Sequence, residues 1–499
     1  MSSTTVSPEQ PSLHSGFEVR RLLLLWLVAA GVCVLALRFF FPGYLDPFVP
    51  FHLDHYIYLG MHAEAYGLDR YFLYYPRPIA HVLIDLCGRL GVRGLLVPLY
   101  ILTWLNAALL VLYLERVMGE RVVWLGFLLY TALAYSNPEF YWNLKQDPFS
   151  TFALTFLLCI FHAWQSYLDT QKKVYLGLIV FLVLLLSLTK ESYFVALTLF
   201  LVLQYYTQTR RRRAAIFLLI VGIAFMGFGL FRSAQVWALF PAKADPGAVY
   251  YTSLAPKSVW HGFLKIGKYL AVPAVGISVL GALIGSARKE RRLFFINAAM
   301  VLLGAVSLLP NATLPNHLEA QYAFLGAYFF LAPLLFTPRL LPPRLSSQIG
   351  LLFVSLLIYG LALLGYRRPI REVAGLLREY EKTAQRMLPG IDRLKAATKP
   401  GDNSLVVGAT MFYDPFLASE FILSEFGSQR FWTVVVSGEI AETKRYTTQL
   451  IHESGRARLA RYDNLFVFAP DGRLITAIRS PSPAVVEAAF HPPDDKPPR

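Results

Sequence analysis

The stretch 174–206, VYLGLIVFLVLLLSLTKESYFVALTLFLVLQYY, is predominantly apolar except at Lys190 and Glu191 near its middle. About 20 apolar residues cross the hydrocarbon core of a bilayer. The stretch is longer than one such helix needs, and the charged pair divides it into two shorter apolar segments joined by a polar turn. We predict helices over 174–189 and 192–208, with Lys190 and Glu191 together at one membrane surface.

The composition of the whole chain agrees with a membrane location. Of its 499 residues, 56% are hydrophobic and only 16% are charged, and the mean hydropathy is +0.47. Soluble proteins are typically about 25% charged, and no soluble fold of this size has an interior for so much apolar side chain. These values exclude an ordinary soluble enzyme, a disordered chain and a nucleic-acid-binding module. Three cysteines are too few for a disulfide framework or a cysteine-based zinc site.

Apolar windows of the required length recur along the first 366 residues, so the sequence predicts a polytopic α-helical membrane protein with about eleven transmembrane helices. The windows are 21–41, 95–114, 122–137, 149–168, 174–189, 192–208, 214–232, 264–285, 293–310, 319–337 and 348–366. A polar tail, 1–20, precedes the first window. That window is too long for a signal peptide and has no small-residue cleavage site, so we expect it to be retained.

Basic residues concentrate in alternate connections between these windows. They are Arg20 and Arg21; Arg116 and Arg121; Lys172 and Lys173; Arg210 to Arg213; Arg288, Lys289, Arg291 and Arg292; and Arg339 and Arg344. Short loops rich in Lys and Arg stay in the cytoplasm. We therefore predict a cytoplasmic N-terminus and, after eleven spans, a C-terminus on the outer face.

The domain organisation follows from the change in composition after residue 366. We predict a transmembrane domain over 21–366, with a long first outer loop at 42–94, and a small extracytoplasmic α/β domain over 367–479. The spacing of apolar residues over 371–397 is typical of an amphipathic helix. Four β-rich runs follow, SLVVGA, FWTVVVSG, LFVFAP and DGRLITAI. The proline-rich tail, 480–499, is expected to be disordered.

Ionisable residues cluster at the ends of the spans that face outward. These are Asp46, Asp54 and His55 in the first outer loop, Lys145 and Asp147 in WNLKQD, Lys190 and Glu191 in TKES, and His317 and Glu319 in PNHLEAQY, where the neutral Gln321 follows. Each has a structural alternative: a solvated loop, an N-cap at Asp147, a turn with an ion pair at Lys190, or a first-turn acid at Glu319. Their convergence on one side of the membrane favours function instead. Carboxylates together with Arg77, Lys145 and Lys190 suit a site that binds a phosphorylated group and uses a carboxylate as base.

Four motifs resemble those of the GT-C polytopic membrane glycosyltransferases, in the branch of O-mannosyltransferase-like and bacterial polyprenyl-phosphate-sugar-dependent enzymes. They are FHLDHYIYL followed by YYPRPIAHVL, WNLKQDPFS, LSLTKESYF and PNHLEAQYAFLGAYF, and they occur in that order from about residue 46 to 330. They are similar to the family's acidic pair and Arg-Pro in the first outer loop, its basic-acidic patch before the fourth span, its Lys-Glu, and its Glu-Arg-Tyr-like stretch.

The resemblance implies transfer of a sugar from a polyprenyl-phosphate-linked donor to a lipid, glycan or protein acceptor at the outer face. By analogy, Asp54 would be the general base, with Asp46 the next candidate, and Arg77 and Lys190 would bind the donor phosphate. Glu191 would orient Lys190. The remaining residues expected to support or line the cavity are His55, Lys145, Asp147, His317, Glu319 and Gln321.

Two positions depart from the family pattern. His55 stands where the family has a second acid, so an acid pair for a divalent cation is incomplete and no cofactor or metal ligand is assigned. Gln321 stands where Arg is usual, which weakens the expected phosphate contact or shifts it to His317. An inactive relative of the family is therefore one alternative.

Two further classes stay open. A transporter or flippase usually places ionisable residues near the bilayer midplane, whereas here they crowd the outer ends of the spans. An acyl or phospho-headgroup transferase would use a histidine-based nucleophile dyad, for which His52, His55 and His62 are the candidates. The expected partners are membrane lipids, the lipid-linked donor and its acceptor, with no nucleic acid. The expected location is a bacterial inner membrane, with the active site on the periplasmic face.

Overall fold

The structure is a computed structural model of the full chain. It describes residues 19–41, 77–88, 91–137, 140, 148–238, 253–269, 272–314, 323–341, 347–397, 399, 402, 404–407, 431–434, 462–468 and 474–490. Structural statements below refer to these residues.

Helices dominate the described part of the chain. They are α1 (Val19–Phe40), α2 (Pro78–Gly88), α3 (Gly91–Met118), α4 (Trp124–Ser136), α5 (Pro148–Thr170), α6 (Lys173–Ser187), α7 (Phe194–Thr207), α8 (Arg212–Ala238), α9 (Pro256–Tyr269), α10 (Val272–Lys289), α11 (Arg291–Ser307), α12 (Leu309–Ala312), α13 (Phe324–Phe330), α14 (Thr337–Leu340), α15 (Gln348–Ala397) and α16 (Pro483–Phe490). Short 3₁₀ helices occur at Glu191–Tyr193, Thr209–Arg211 and Ala332–Phe336.

The helices confirm a helical membrane protein. Six apolar segments in the described residues are long enough to cross a bilayer: Val19–Phe40, Val97–Met118, Phe149–Thr170, Arg212–Phe231, Arg291–Ala312 and Gln348–Glu372. Shorter apolar helices occupy Trp124–Ser136, Lys173–Ser187, Phe194–Thr207 and Phe324–Leu340. The described residues of each predicted window are mainly helical, and the count of eleven spans stays a prediction.

Two predicted segments differ in detail from the structure. The window 264–285 covers parts of two helices, because α9 ends at Tyr269 and α10 begins at Val272. The amphipathic helix predicted over 371–397 is continuous with the last span in α15, which contains Pro369 and Pro389 in its interior. The predicted domain boundary at residue 367 therefore lies within one helix.

Hydrogen bonds between polar side chains and neighbouring helices cross-link the bundle. The Asn106 amide of α3 donates to the Thr151 carbonyl oxygen of α5 at 3.2 Å and accepts from the Thr155 hydroxyl at 2.9 Å. The Trp164 indole of α5 donates to Gln204 of α7 at 2.9 Å. Such bonds contribute about 1 kcal/mol each between helices in lipid. They hold α3, α5 and α7 together.

Basic residues of five predicted cytoplasmic connections meet at one end of the bundle, which we call the basic end. Arg21 pairs with Glu115 at 2.6 Å and donates to the Val122 carbonyl oxygen at 3.1 Å. The other contacts are Arg116 with Asp169 at 2.6 Å, Arg339 with Glu120 at 2.7 Å, Arg292 with the Val117 carbonyl, Lys289 with the Arg339 carbonyl, and Arg211 over the Tyr167 ring. The alternation of charge along the sequence is thus also a separation in space.

Four strands form one sheet after α15, and each overlaps one of the predicted β-rich runs and extends beyond it by at most one residue. They are β1 (Ser404–Val407), β2 (Phe431–Val434), β3 (Asn464–Phe468) and β4 (Leu474–Arg479). The order is β2-β1-β3-β4, with β1 parallel to β2 and β3, and β4 antiparallel to β3. β4 also contacts α15.

Asp402 links the start of β1 to β3. Its carboxylate accepts from the Lys399 backbone N–H at 2.9 Å and from the Asn464 amide at 3.0 Å. The Lys399 N–H, followed by the Asn464 amide, holds the pKa of the carboxyl below its ordinary value.

The close approach of α4 to the 3₁₀ helix Ala332–Phe336 generates a stability prediction. A Cβ atom at Gly126 would lie 2.2 Å from the Leu335 carbonyl oxygen, so Gly126→Ala must push these segments apart. We expect the substitution to destabilise the protein by about 1–3 kcal/mol, seen as a lower unfolding temperature in detergent. Gly281→Ala is the matched control, because a Cβ there meets nothing within 4 Å. Equal unfolding temperatures for the two variants would contradict this packing.

The buried Arg21–Glu115 pair generates a second prediction. Its two side chains are only 8% and 9% exposed, and removing one partner leaves an uncompensated buried charge that costs about 3–5 kcal/mol. Arg21→Met should therefore lower stability strongly, and adding Glu115→Leu should restore most of the loss. The measurement is unfolding of the purified protein in detergent.

The exposed pair Arg368–Glu372 serves as the control for this cycle, because its side chains are 77% and 51% exposed. Arg368→Met should leave the unfolding temperature unchanged. A double variant at residues 21 and 115 that is no more stable than Arg21→Met alone would show that the pair is not an isolated buried ion pair.

Candidate functional site

The turn between α6 and α7 carries Lys190, as the sequence predicts. The backbone N–H of Lys190 donates to the Leu186 carbonyl oxygen at 3.0 Å, which closes the end of α6. The 3₁₀ helix Glu191–Tyr193 then leads directly into α7 at Phe194. Because α6 starts beside the basic end, this turn lies at the opposite end of the bundle.

Lys190 is almost completely buried at this turn, with 5% of its surface exposed. Its ammonium group donates to the Ser150 hydroxyl oxygen at 2.7 Å. Ser150 lies in the first turn of α5, which begins at Pro148. The first turn of a helix carries unsatisfied N–H groups and a partial positive charge. The lysine ammonium and this helix terminus therefore combine in one positive region.

Arg77 approaches the same turn of α5 from another side. The centre of its guanidinium group lies 5.7 Å from the centroid of the Phe149 ring, next to Ser150 in the chain. The backbone N–H of Ile79 donates to the Leu188 carbonyl oxygen at 3.2 Å. This bond joins the start of α2 to the turn that carries Lys190. The two predicted phosphate-binding cations thus converge on one helical turn from sequence positions more than a hundred residues apart.

A small polar pocket opens beside Lys190. It has room for about one water molecule, opens to solvent, and is lined by Ser150, Lys190, Ser192, Tyr193, Ser307, Asn311 and Leu325. None of these described lining residues is acidic. A lysine surrounded by hydroxyl and amide groups supplies hydrogen-bond donors for an anion, and no carboxylate among these residues opposes it.

Most of the other predicted site residues lie outside the described residues. These are Asp46, Asp54 and His55 of the first outer loop, Lys145 and Asp147, and His317, Glu319 and Gln321. Glu191 is described only through its backbone in the 3₁₀ helix. Their assignments stay predictions. Among the described residues, no group of three or more His, Cys, Asp or Glu side chains is arranged to hold a metal ion.

Of the lining residues, only Lys190 is one of the predicted site residues. In the sequence, Ser150 belongs to a helix-start pattern and Asn311 to an Asn-Ala-Thr glycosylation pattern, whereas Tyr193 and Ser307 carry no motif. Ser307 and Asn311 are four residues apart at the end of an apolar window, so they share one helix face. That spacing is the signal that would have identified them.

The comparisons with known proteins add no family assignment. No protein-family model and no curated protein sequence matches this chain. The resemblance to GT-C glycosyltransferases therefore rests on the four sequence motifs. The geometry around Lys190 is independent of that resemblance.

Proposed function

We propose that this protein is a membrane glycosyltransferase that moves a sugar from a polyprenyl-phosphate-linked donor to a lipid, glycan or protein acceptor at the outer face of the membrane. The observation that carries the proposal is the convergence of Arg77 and Lys190 on the first turn of α5. Two cations and a helix N-terminus form a favourable environment for a phosphate group. A phosphate at this end of the bundle would lie at the membrane surface, where the phosphate of a lipid donor also lies.

The chemistry assigned to these cations is stabilisation of the leaving group. When the bond between the sugar and the phosphate breaks, negative charge develops on the phosphate oxygens. A buried ammonium already held by Ser150 needs little reorganisation to stabilise that charge. We assign Asp54 as the base that takes the proton from the acceptor hydroxyl, with Asp46 as the alternative, on the strength of the sequence motif.

The proposed topology has eleven spans, with the basic end in the cytoplasm and the Lys190 pocket outside. It is supported by the positive-inside rule and by the position of basic residues from different connections at one end, where they contact acidic and aromatic side chains of neighbouring elements. In a bacterial cell this topology corresponds to the inner membrane, with the pocket and the C-terminal sheet on the periplasmic side. The sheet would then cover the cavity or recognise the acceptor.

The topology can be tested by cysteine labelling in intact cells. Cys33, Cys87 and Cys159 are first replaced by Ser, and single cysteines are introduced as Thr209→Cys or Ala255→Cys, both at exposed positions at opposite ends of the bundle. A membrane-impermeant maleimide should label the cysteine at 255 directly and the one at 209 only after permeabilisation. Labelling of 209 from outside would overturn the orientation, and equal labelling of both would overturn the number of spans between them.

The activity can be tested with purified protein, radiolabelled polyprenyl-phosphate sugars and a membrane extract that supplies the acceptor. Lys190→Met and Arg77→Met should each lower transfer about 10²–10³-fold, because each removes a group that stabilises the leaving phosphate. Asp54→Asn should lower it about 10²–10⁴-fold, because the base is lost. Lys173→Gln is the matched control, since Lys173 is exposed at the basic end.

Three outcomes would contradict parts of this proposal. Equal transfer by wild type and Asp54→Asn would show that Asp54 is not the base. Unchanged transfer by Lys190→Met, with an unfolding temperature near that of wild type, would show that Lys190 does not bind the donor phosphate. Passage of a lipid-linked sugar across vesicles without its consumption would identify a transporter instead.

A further inference from the structure

Helix α9, PKSVWHGFLKIGKY, is the most amphipathic of the described helices. One face packs on the protein through Val259, Phe263 and Ile266, which contact a cluster that includes Leu308 and Ala312. The approach is close, because a Cβ at Gly262 would lie 2.3 Å from the Ala312 carbonyl oxygen. α9 is therefore docked firmly and is not a solvated extension of the loop.

A second face of α9 is apolar and open. Trp260 is 64% exposed and Leu264 is 57% exposed, and they are one helical turn apart. Leu254, just before the helix, is 79% exposed. A large aromatic and a large aliphatic side chain in adjacent turns form a surface that water solvates poorly. Such a surface needs an apolar partner.

A third face of α9 is positively charged. Lys257 and Lys265 are exposed and two turns apart, with His261 exposed between them. No acidic residue occurs anywhere in the helix. The cationic face borders the apolar one. Lys257 and Leu264 are seven residues apart and therefore lie at nearly the same angle around the helix. The neighbouring faces would suit a partner that presents apolar groups beside negative charge.

The position of α9 along the bundle places both faces at one membrane surface. Ala312, against which α9 packs, is the last residue of the membrane-spanning segment Arg291–Ala312. The backbone N–H of Ser253, just before α9, also donates to the Thr313 carbonyl oxygen at 2.8 Å. The helix is thus held at the level where hydrocarbon gives way to headgroups. A helix with Trp and Leu on one face and Lys on the next binds in that layer.

We propose that α9 is an interfacial helix that binds anionic phospholipids of the leaflet at this end of the bundle. Trp260 and Leu264 insert at the boundary between headgroups and acyl chains, while Lys257 and Lys265 bind lipid phosphates. Aromatic rings with a polar edge favour this layer, and basic side chains near the surface are attracted to anionic headgroups. The binding does not depend on glycosyl transfer.

The test uses a fluorescent reporter on Leu264→Cys in full-length protein whose native cysteines are replaced by Ser. The protein is reconstituted in phosphatidylcholine vesicles with a small, equal fraction of a lipid that carries a nitroxide quencher high on its acyl chain. The quenching lipid is either phosphatidylglycerol or phosphatidylcholine. We expect strong quenching by both lipids and, at low salt, about fivefold preferential quenching by the anionic one.

A reporter on Ile475→Cys, 65% exposed on β4, is the aqueous control and should be quenched little. Lys257→Gln/Lys265→Gln should abolish the preference for phosphatidylglycerol while quenching by phosphatidylcholine persists. The matched variant Lys172→Gln/Lys173→Gln, at the basic end, should keep the preference. Added salt should reduce it.

Quenching at residue 264 as weak as at residue 475 would overturn the proposal and point to a protein partner for the apolar face. Equal quenching by the two lipids in the labelled protein that retains Lys257 and Lys265 would overturn the phosphate-binding role of these lysines. Because no sugar donor is present, both results are independent of the transferase assay.

Discussion

The hydrocarbon interior of a bilayer does not solvate charge, and the arrangement of this bundle depends on that constraint. At one end, Arg21 of α1 pairs with Glu115 of α3, and Arg116 of α3 pairs with Asp169 of α5. Lys190 is buried at the other end against a serine hydroxyl. Between the two ends the core is mainly aromatic and aliphatic, with the centroids of the Phe161 and Phe200 rings 4.0 Å apart, and its polar side chains such as Asn106 are hydrogen-bonded to neighbouring helices. The constraint thus produces two chemically distinct ends that can carry different functions.

Much of the transmembrane architecture was predictable from hydropathy, because a helix that crosses lipid needs little more than sufficient apolar length. The window 264–285 shows the limit of that reasoning. This window combines part of α9 with α10, because the mean hydropathy over about 20 residues stays high despite Lys265 and Lys268. The amphipathic spacing of Val259, Phe263 and Ile266 was the better signal. Interfacial helices are short and mixed in composition, so periodicity identifies them where mean hydropathy does not.

Site residues were predictable where a charged side chain differs in kind from the residues around it in the sequence. Lys190 interrupts an apolar run, and Arg77 precedes a proline at the start of a helix, so both stand out in the sequence. Ser150 does not, because a serine near a helix start has an ordinary explanation as a capping residue. Its contact with Lys190 depends on how α5 is rotated against the turn at 188–193, which is decided by packing between helices. The carboxylates of the first outer loop remain sequence-based predictions.

The continuity of α15 has a mechanical consequence. A helix of 50 residues extends about 75 Å along its path, and it joins the last membrane span to the sheet, whose strand β4 contacts it. The helix runs without a break from the span to Ala397, with Pro369 and Pro389 as the positions where it can bend, so it carries the end of the span toward the sheet as one element. Each residue of a helix contributes about 100° of rotation and 1.5 Å of rise. Inserting one residue into this helix would therefore turn the residues beyond it by about 100° relative to the bundle, whereas inserting about seven residues would nearly restore their orientation.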